Sequence, residues 1–256
     1  MALIFTAILV GMVLLAAPLR ADGLEGCGSH IKYGAPGRDG VLLCRLGYAL
    51  SHNSSRKVAD WVAYRLTKEK MAGTHPRSNN FRADPDLDAG KRSEKKDYKG
   101  SGFDRGHMAP AAAMKWDARA MSESFLLSNM APQVGPGFNR GIWRSLESRV
   151  RDWTRARGEL YVVTGPIYLA NADSPIGSNQ VAVPTHFYKA IFDPTRVEGI
   201  AFILPNKKLK TKDLPTFIRS IDDIEDQTGL DFLAELEDTV EAIVEANIQP
   251  KMWPRP

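Results

Sequence analysis

Cysteine is scarce in this chain of 256 residues, in which only Cys27 and Cys44 occur. Two thiols this far apart, with His30 alone nearby, do not have the spacing of a zinc site. In an oxidising compartment they can form a disulfide, whose closed loop adds about 3 kcal/mol of stability in the chain-entropy model. In a reducing cytosol both would stay free thiols. The cysteines therefore argue against a zinc-binding module and leave these two states open.

A strong charge excess is also lacking, because 34 Lys and Arg residues oppose 30 Asp and Glu residues, for a formal net charge of +4. This balance permits a polyanionic partner but does not require one. No internal repeat, low-complexity stretch or break in composition divides the chain, and its length suffices for a full hydrophobic core. We therefore expect residues 22–256 to form one domain.

The chain has one long apolar run, at its N-terminus, where residues 2–19 contain no charged side chain. With Pro18 shortly before a cleavage position near Ala21, this run predicts a secretory signal over residues 1–21. The protein would then be secreted or periplasmic, with no stable membrane association after cleavage. Because no Lys or Arg precedes the run, an uncleaved membrane anchor is the alternative.

Hydrophobic periodicity indicates both strands and helices. Alternation over residues 58–67 predicts a strand with Val62, Tyr64 and Leu66 on one face. Further strands are predicted at residues 159–164, 183–192 and 197–204, the last two as a hairpin, and residues 71–102 are predicted to be irregular. Helices are predicted over residues 143–157, from Pro215 to just before Gly229, and over residues 233–245. Because these elements segregate along the chain, they favour an α+β fold with a central antiparallel sheet flanked by helices.

Residues 104–110 read Asp-Arg-Gly-His-Met-Ala-Pro, which places a titratable base beside a fixed cation on what we interpret as a glycine turn. His107 has an ordinary pKa of about 6.5, so it accepts a proton near neutral pH. Arg105 offers a planar fork of donors that matches a pair of phosphate oxygens, and Gly106 lets a backbone or ligand approach closely. The pattern predicts chemistry on a phosphodiester. A surface turn with an Asp-Arg ion pair is the alternative.

Two further segments and one acidic residue extend this pattern. Residues 128–133 read Ser-Asn-Met-Ala-Pro-Gln, residues 138–143 read Phe-Asn-Arg-Gly-Ile-Trp, and Glu147 follows one helical turn later. With residues 104–110, they make the sequence resemble the DNA/RNA non-specific endonuclease family of ββα-metal nucleases. The resemblance extends from about Arg45 to residues 228–230, which is most of the chain. It implies a ββα-metal motif within the α+β fold and endonuclease activity over residues 22–256.

The resemblance also implies roles for individual residues. His107 would be the general base that activates the attacking water. Asn139 would be the one protein side chain bound directly to a hydrated Mg²⁺, with Mn²⁺ as the alternative ion, and Glu147 would hold waters of that metal. A site with few protein ligands suits Mg²⁺, which is hard, octahedral and slow to lose water. The other members of the catalytic and substrate-binding set are Arg105 and Arg151 at the phosphate, and Asn129 and Gln133 as polar braces.

Two positions depart from the family pattern. Phe125 stands where some relatives have an asparagine, so one polar contact is lost or replaced. Asn79 stands where relatives have an arginine before the aromatic position of Phe81, and Arg77 or Arg82 could supply the missing cation. Both departures concern how the phosphate is positioned.

Ordinary structural roles are the alternatives at each site residue. Asn139 could cap a helix, and Glu147 could be a surface charge paired with Arg144 or Arg151. The histidines outside the motif are assigned to structure or solvent: His30, His52, His75 and His186. These alternatives do not predict the joint spacing of the motif residues.

The predicted function is Mg²⁺-dependent, sugar-non-specific hydrolysis of DNA and RNA to 5′-phosphate products. Because no base-reading module accompanies the motif, contacts with nucleic acid should be mainly to the backbone. His107 must be neutral to act as a base, so activity should fall at acidic pH. The alternatives are a secreted nucleic-acid-binding module without catalysis and a phosphodiesterase of the same fold for a smaller substrate. The resemblance also implies a homodimer, and it leaves open whether an inhibitor protein exists.

Overall fold

The computed structural model describes residues 25–37, 39–170, 173–249 and 251–254. The signal predicted at residues 1–21 lies outside these described residues, so the choice between cleavage and anchoring is not tested. Within the described ranges, every helix is too short or too polar to cross a membrane.

A disulfide joins Cys27 to Cys44, with their Cα atoms 4.6 Å apart. It connects the short helical segment Glu25–Ile31 to the first strand, Val41–Cys44 (β1). The indole nitrogen of Trp61 adds a second tie, because it donates a hydrogen bond to the carbonyl of Gly37 at 3.0 Å. Of the two states that the sequence left open, the structure therefore contains the paired one.

Two antiparallel sheets form the β structure of the described residues. The strands that follow β1 are Ala49–Asn53 (β2), Val58–Thr67 (β3), Phe103–His107 (β4), Met130–Val134 (β5), Glu159–Ile167 (β6), His186–Asp193 (β7), Glu198–Pro205 (β8) and Ile218–Arg219 (β9). The main sheet has the order β1-β2-β3-β6-β7-β8-β9, and β4 pairs with β5 in a separate two-stranded sheet. The predicted strand at 58–67 and the predicted hairpin, which is β7 and β8, are confirmed.

Five α-helices occur in the described residues: Lys95–Tyr98 (α1), Ala118–Glu123 (α2), Arg144–Arg157 (α3), Asp222–Thr228 (α4) and Asp238–Ala246 (α5). The predicted amphipathic helix is confirmed as α3, which ends at Gly158 in a positive-φ conformation (97°). Its predicted inward residues are almost completely buried: Trp143 just before it, and Leu146, Val150 and Trp153 within it. The stretch 71–102 is irregular, as predicted, apart from α1 and a single turn at Lys70–Ala72.

Two helix predictions at the C-terminal end are partly wrong. The helix predicted from Pro215 to just before Gly229 forms only in its second half, as α4. Its first residues belong to a short turn, Thr211–Phe217, and then to β9. They do so because Ile218 pairs with Phe202 along the open edge of β8, and tertiary pairing outweighs helical periodicity. The last helix begins at Asp238 and not at Leu233, because Leu233 has a left-handed backbone (φ 54°).

The main sheet is covered on both faces, which gives three layers and confirms the α+β prediction. One face packs against α3 and the small sheet in the larger hydrophobic cluster, which includes Val62, Tyr64, Leu66, Met130, Trp143, Trp153, Phe187 and Phe202. The opposite face packs against α4 and α5 in a second cluster, which includes Tyr188, Phe192, Ile203, Ile221, Ile224 and Val244. Each large side chain that becomes fully buried stabilises the fold by about 1.5–3 kcal/mol. The helix α3 and the β4–β5 sheet are therefore held firmly on one side of the main sheet.

Candidate active site

A cleft of about 700 Å³ opens between the β4–β5 sheet, the start of α3 and α1. The lining residues that the sequence singled out are Arg77, Arg105, His107, Asn139, Glu147 and Arg151. Further lining residues include Phe81, Lys95, Tyr98, Lys99, Asp104, Arg140 and Arg144. Residues from well-separated stretches of sequence thus share one cavity, whereas Asn129 and Gln133 do not line it.

The stretch predicted as a glycine turn is strand β4, which corrects that interpretation. Arg105 lies opposite Pro132 and His107 lies opposite Met130 in an antiparallel register. Gly106 is required inside the protein: a Cβ at this position would lie 2.1 Å from the Cδ atom of Gln133. The glycine therefore makes room for a buried side chain of the partner strand, and the residues on either side of it line the cleft.

The imidazole of His107 is held by aromatic rings. Its ring lies edge-on to Phe125, with centroids 5.0 Å apart, and to Phe81, with centroids 5.8 Å apart. Nε2 is buried without a hydrogen-bond partner among the described residues. Burial, reinforced by the positive charges of Arg77 and Arg105, lowers the pKa of His107 to about 3. The ring is consequently neutral at physiological pH, in the state that accepts a proton.

Two arginines stack on the same phenyl rings. The guanidinium of Arg105 lies 4.2 Å from the centroid of Phe81, and that of Arg77 lies 4.8 Å from the centroid of Phe125. Such cation–π contacts typically contribute about 0.5–1 kcal/mol at exposed sites and more when desolvated. Asn79 fixes Arg77 further, because its Oδ1 accepts a hydrogen bond from Arg77 Nε at 2.8 Å. Both guanidinium groups are therefore preorganised beside the imidazole.

The two departures from the family pattern now have a structural account. Phe125 replaces a polar contact with an edge-on ring contact to His107. Of the two candidate substitutes for the displaced arginine, Arg77 lines the cleft. Arg82 instead donates hydrogen bonds to the carbonyls of Asn80 and Ser122. Of the two arginines, Arg77 is therefore the one that the fold places in the cleft.

Asn139 is held by Asp104, a residue to which the sequence assigned no role in the site. Asn139 Nδ2 donates to Asp104 Oδ2 at 2.8 Å, and Arg140 Nη1 donates to Asp104 Oδ1 at 3.0 Å. Asp104 therefore pairs with Arg140, and the alternative interpretation, an ion pair with its neighbour Arg105 in a surface turn, does not apply. Since the amide nitrogen is occupied, the amide oxygen of Asn139 is the atom available to a cation.

The irregular segment Gly135–Trp143 places Asn139 in the cleft. Gly137 has a left-handed backbone (φ 82°), and a Cβ there would lie 2.5 Å from Lys208 Cγ. Regular helix begins only at Arg144, five positions beyond Asn139. Helix capping, the alternative role of Asn139, is therefore not its role here.

Glu147 projects from the first turn of α3 into the cleft wall. No ion pair or hydrogen bond of its carboxylate occurs within the described part of the chain, which removes the alternative of a surface pair with Arg144 or Arg151. Burial raises the pKa of Glu147, and the charges of Lys189 and Arg151 oppose that shift. A half-buried carboxylate among cations is suited to hold metal-bound water or a cation.

Lys189 is a functional candidate that the sequence reasoning missed. It is completely buried on β7, with Nζ 3.3 Å from the hydroxyl of Tyr64 and 4.6 Å from the centroid of Trp143. Burial lowers its pKa, and the charge of Glu147 opposes this. The available signal was a lysine inside the apolar strand 187–192, where an unpaired charge is costly.

Asn129 acts on the backbone next to the cleft. Its Oδ1 accepts from the Ala109 amide at 2.9 Å, and its Nδ2 donates to the carbonyls of Ala109 and Ser124, each at 2.9 Å. The side chain is fully buried. Two of the three contacts fix the chain at Ala109, two residues after His107, and the third ties it to Ser124. The bracing contact is therefore present, but Asn129 is a positioning residue outside the cavity.

The donor set of the cleft fits a hard divalent cation. Asn139 offers an amide oxygen and Glu147 an unpaired carboxylate, and oxygen ligands of these types are the ones that Mg²⁺ prefers. Lys95 and Lys99, next to Tyr98, and Arg140 and Arg144 line the same cavity. This positive rim matches a phosphate backbone.

Comparisons with known proteins agree with this geometry. A family model described as DNA/RNA non-specific endonuclease matches residues 27–239. Nuclease C1 of Cunninghamella echinulata var. echinulata is 40% identical over 224 residues, which cover 82% of this chain and 89% of that protein. Mitochondrial endonuclease G of Homo sapiens is 37% identical over 223 residues, which cover 82% of this chain and 74% of that protein. Among solved structures, that of an EndoG/EndoGI complex matches with a TM-score of 0.78 and 34% identity, over 83% of this chain and 93% of that chain.

Proposed function

Because this chain belongs to the DNA/RNA non-specific endonuclease family, we propose that it cleaves DNA and RNA with Mg²⁺ and leaves 5′-phosphate ends. The family is one of metal-dependent hydrolases. One observation supports the finer proposal most strongly: a single cleft contains the neutral His107, two ring-stacked arginines and the amide of Asn139.

The proposed mechanism uses His107 as the general base. Its neutral imidazole takes a proton from a water molecule while the water oxygen attacks phosphorus, and the bond to the 3′ oxygen breaks. Arg105 and Arg77 donate to the non-bridging oxygens and hold the phosphate beside the imidazole. The departing 3′ oxygen takes a proton from water, and the phosphate stays on the 5′ side.

Asn139 and Glu147 would hold the divalent cation, with Asp104 fixing the amide of Asn139. A bound Mg²⁺ would supply positive charge to the phosphate oxygens as negative charge develops in the transition state. Mn²⁺, which has similar oxygen preferences, is the alternative ion. Arg151 lies on the same helix as Glu147 and lines the cleft, where it would contact a neighbouring phosphate.

Substrate breadth follows from what contacts the nucleic acid. The cations of the cleft are suited to phosphates, and phosphate contacts carry no base sequence information. We therefore propose that DNA and RNA are both substrates and that cleavage depends only weakly on sequence.

We also propose that the protein is exported. The apolar run at residues 2–19 and the Cys27–Cys44 disulfide favour an oxidising compartment. Human endonuclease G, a relative, is mitochondrial, so the mitochondrion is the alternative location. The homodimer expected from the resemblance stays a prediction. Whether an inhibitor protein exists for this chain stays open; the EndoG/EndoGI complex describes inhibition for EndoG.

The proposal is tested with the purified protein on plasmid DNA, on RNA and on dinucleotides. We expect Mg²⁺-dependent cleavage of both polymers, inhibition by EDTA, and 5′-phosphates detected by end labelling. Binding of the polymers with no cleavage between about pH 6 and 9 would identify a non-catalytic binding module. Faster turnover of dinucleotides than of polymers would identify a phosphodiesterase for small substrates.

The pH dependence of kcat/KM gives a prediction about the base. Since the pKa of His107 is lowered in the fold, we expect the acidic limb of the profile to lie below pH 6.5, the ordinary histidine value. Arg77→Met removes one positive charge that lowers this pKa, so the midpoint of the acidic limb should move to higher pH. The measurement is the midpoint of the limb, because the loss of a phosphate contact also lowers the whole curve.

Arg144→Met is the matched control, because Arg144 lines the same cleft but does not contribute to the lowered pKa of His107. Its midpoint should stay at the wild-type value. If Arg77→Met leaves the midpoint in place or moves it to lower pH, His107 is not the titrating base.

A further inference from the structure

An acidic cluster lies on the opposite face of the main sheet from the cleft, where α4 meets α5. Asp222, Glu225 and Glu245 each place a carboxylate oxygen within 4.8 Å of the other two. None of the ion pairs formed within the described residues includes any of the three. Three carboxyl groups therefore converge, and none of them is paired with a cation of the described residues.

One member of the cluster is buried and lacks a partner. Glu245 is 5% exposed, and its Oε1 has no hydrogen-bond partner among the described residues. Burial, together with the charges of Glu225, Glu241 and Asp222, raises the pKa of this carboxyl to about 9. A buried carboxylate that no protein group compensates is costly, so without a cation this carboxyl keeps its proton near neutral pH. A divalent cation that binds here would replace that proton.

The cluster is built on rigid structure. The backbone amide of Ile221 donates to the carbonyl of Glu245 at 2.9 Å, which joins the start of α4 to the end of α5. Glu225 is oriented by a hydrogen bond from the Phe232 amide to its Oε1 at 2.7 Å. Ile221, Ile224 and Val244 are all buried in the hydrophobic cluster beneath. The carboxylates are therefore held together by the packing of the two helices.

We propose that Asp222, Glu225 and Glu245 bind a hard divalent cation, with Ca²⁺ preferred, at a site separate from the nuclease cleft. Oxygens that share one Ca²⁺ at 2.3–2.6 Å are at most about 5 Å apart, which agrees with the observed separation of the three oxygens. Ca²⁺ accepts several carboxylates in a flexible geometry, whereas Mg²⁺ usually keeps most of its water. The bound ion joins α4 to α5 and stabilises that layer of the fold without taking part in hydrolysis.

The test uses the full chain freed of metal, with calorimetric titration of CaCl₂ and thermal unfolding. At a Ca²⁺ concentration about ten times Kd, the melting temperature should rise by roughly 3–5 °C. Glu245→Gln should abolish this rise and weaken Ca²⁺ binding at least tenfold. Because the raised pKa keeps the Glu245 carboxyl protonated near neutral pH when no metal is bound, glutamine replaces it with a neutral group of similar size. The metal-free variant should therefore melt no lower than the wild type, so loss of folding will not obscure the result.

Two control variants show whether the Ca²⁺ response comes from this cluster. Asp226→Asn removes a nearby exposed charge of α4 that is not part of the cluster, and it should keep the Ca²⁺ response if binding is specific. Asn139→Ala should also keep it, because the nuclease cleft is elsewhere. The proposal is overturned if Glu245→Gln retains the full response, if Asn139→Ala loses it, or if Ca²⁺ neither binds nor stabilises the wild type. Equal or tighter binding of Mg²⁺ would overturn the preference for Ca²⁺.

Discussion

Replacement of His107 by alanine is expected to lower kcat by about 10³-fold, with little change in affinity for nucleic acid. A positioned general base contributes about 10²–10⁴-fold to a rate. The two arginines proposed to bind phosphate should stay in place in the variant, because Arg77 and Arg105 stack on phenyl rings and not on the imidazole. The measurements are plasmid hydrolysis under single-turnover conditions and binding of a labelled oligonucleotide without divalent cation.

His186→Ala is the matched control, because His186 is a half-buried strand histidine outside the cleft. It should hydrolyse DNA at the wild-type rate. Thermal unfolding of His107→Ala shows whether the variant is still folded, which must be checked because the imidazole also packs against two phenylalanines. A folded His107→Ala variant with more than a tenth of the wild-type kcat would refute the proposed base.

Replacement of Asn139 by alanine is expected to lower kcat/KM by about 10²–10³-fold at fixed Mg²⁺, and to raise the Mg²⁺ concentration needed for half-maximal activity. The reason is that Asn139 presents the amide oxygen that Asp104 holds in place, so its loss removes the direct protein contact proposed for the cation. The measurement is a titration of activity with Mg²⁺ and with Mn²⁺.

Asp104→Asn provides a graded comparison. This change keeps the size of the side chain but weakens the hydrogen bonds to Asn139 and Arg140. Loss of a group that orients a metal ligand typically costs 10–100-fold, so the effect should be smaller than that of Asn139→Ala and should act in the same direction. An unchanged Mg²⁺ requirement in Asn139→Ala would mean that the cation is held elsewhere.

The surroundings of His107 illustrate how a site tolerates the loss of a polar contact. Phe125 contacts the imidazole edge-on and also carries the guanidinium of Arg77. One aromatic side chain thus orients the proposed base and supports a cation that lowers its pKa. At the position where some relatives have an asparagine, one ring therefore contacts both the imidazole and Arg77.

Much of the fold could be predicted from local pattern. Strand β3 was predictable because Val62, Tyr64 and Leu66 alternate with the residues of its other face and pack together in the larger cluster. The β7–β8 hairpin was predictable as two apolar runs joined by a turn, since both of its faces are covered. Helix α3 was predictable because its apolar residues recur at helical spacing. Strands β4 and β5 were not predicted as strands, because a glycine and Pro132 interrupt them and only their mutual pairing makes them extended.

The sequence by itself determined the chemical inventory: His107, Arg105, Asn139 and Glu147 follow from the order and spacing of the motif. Only the tertiary structure decided that Arg77 and not Arg82 lines the cleft, that Asp104 orients Asn139, and that the charge of the buried Lys189 acts on Glu147. The spacing of a motif along the chain indicates which side chains are available for chemistry. Contacts between residues tens of positions apart depend on strand register and helix packing, which no local pattern contains.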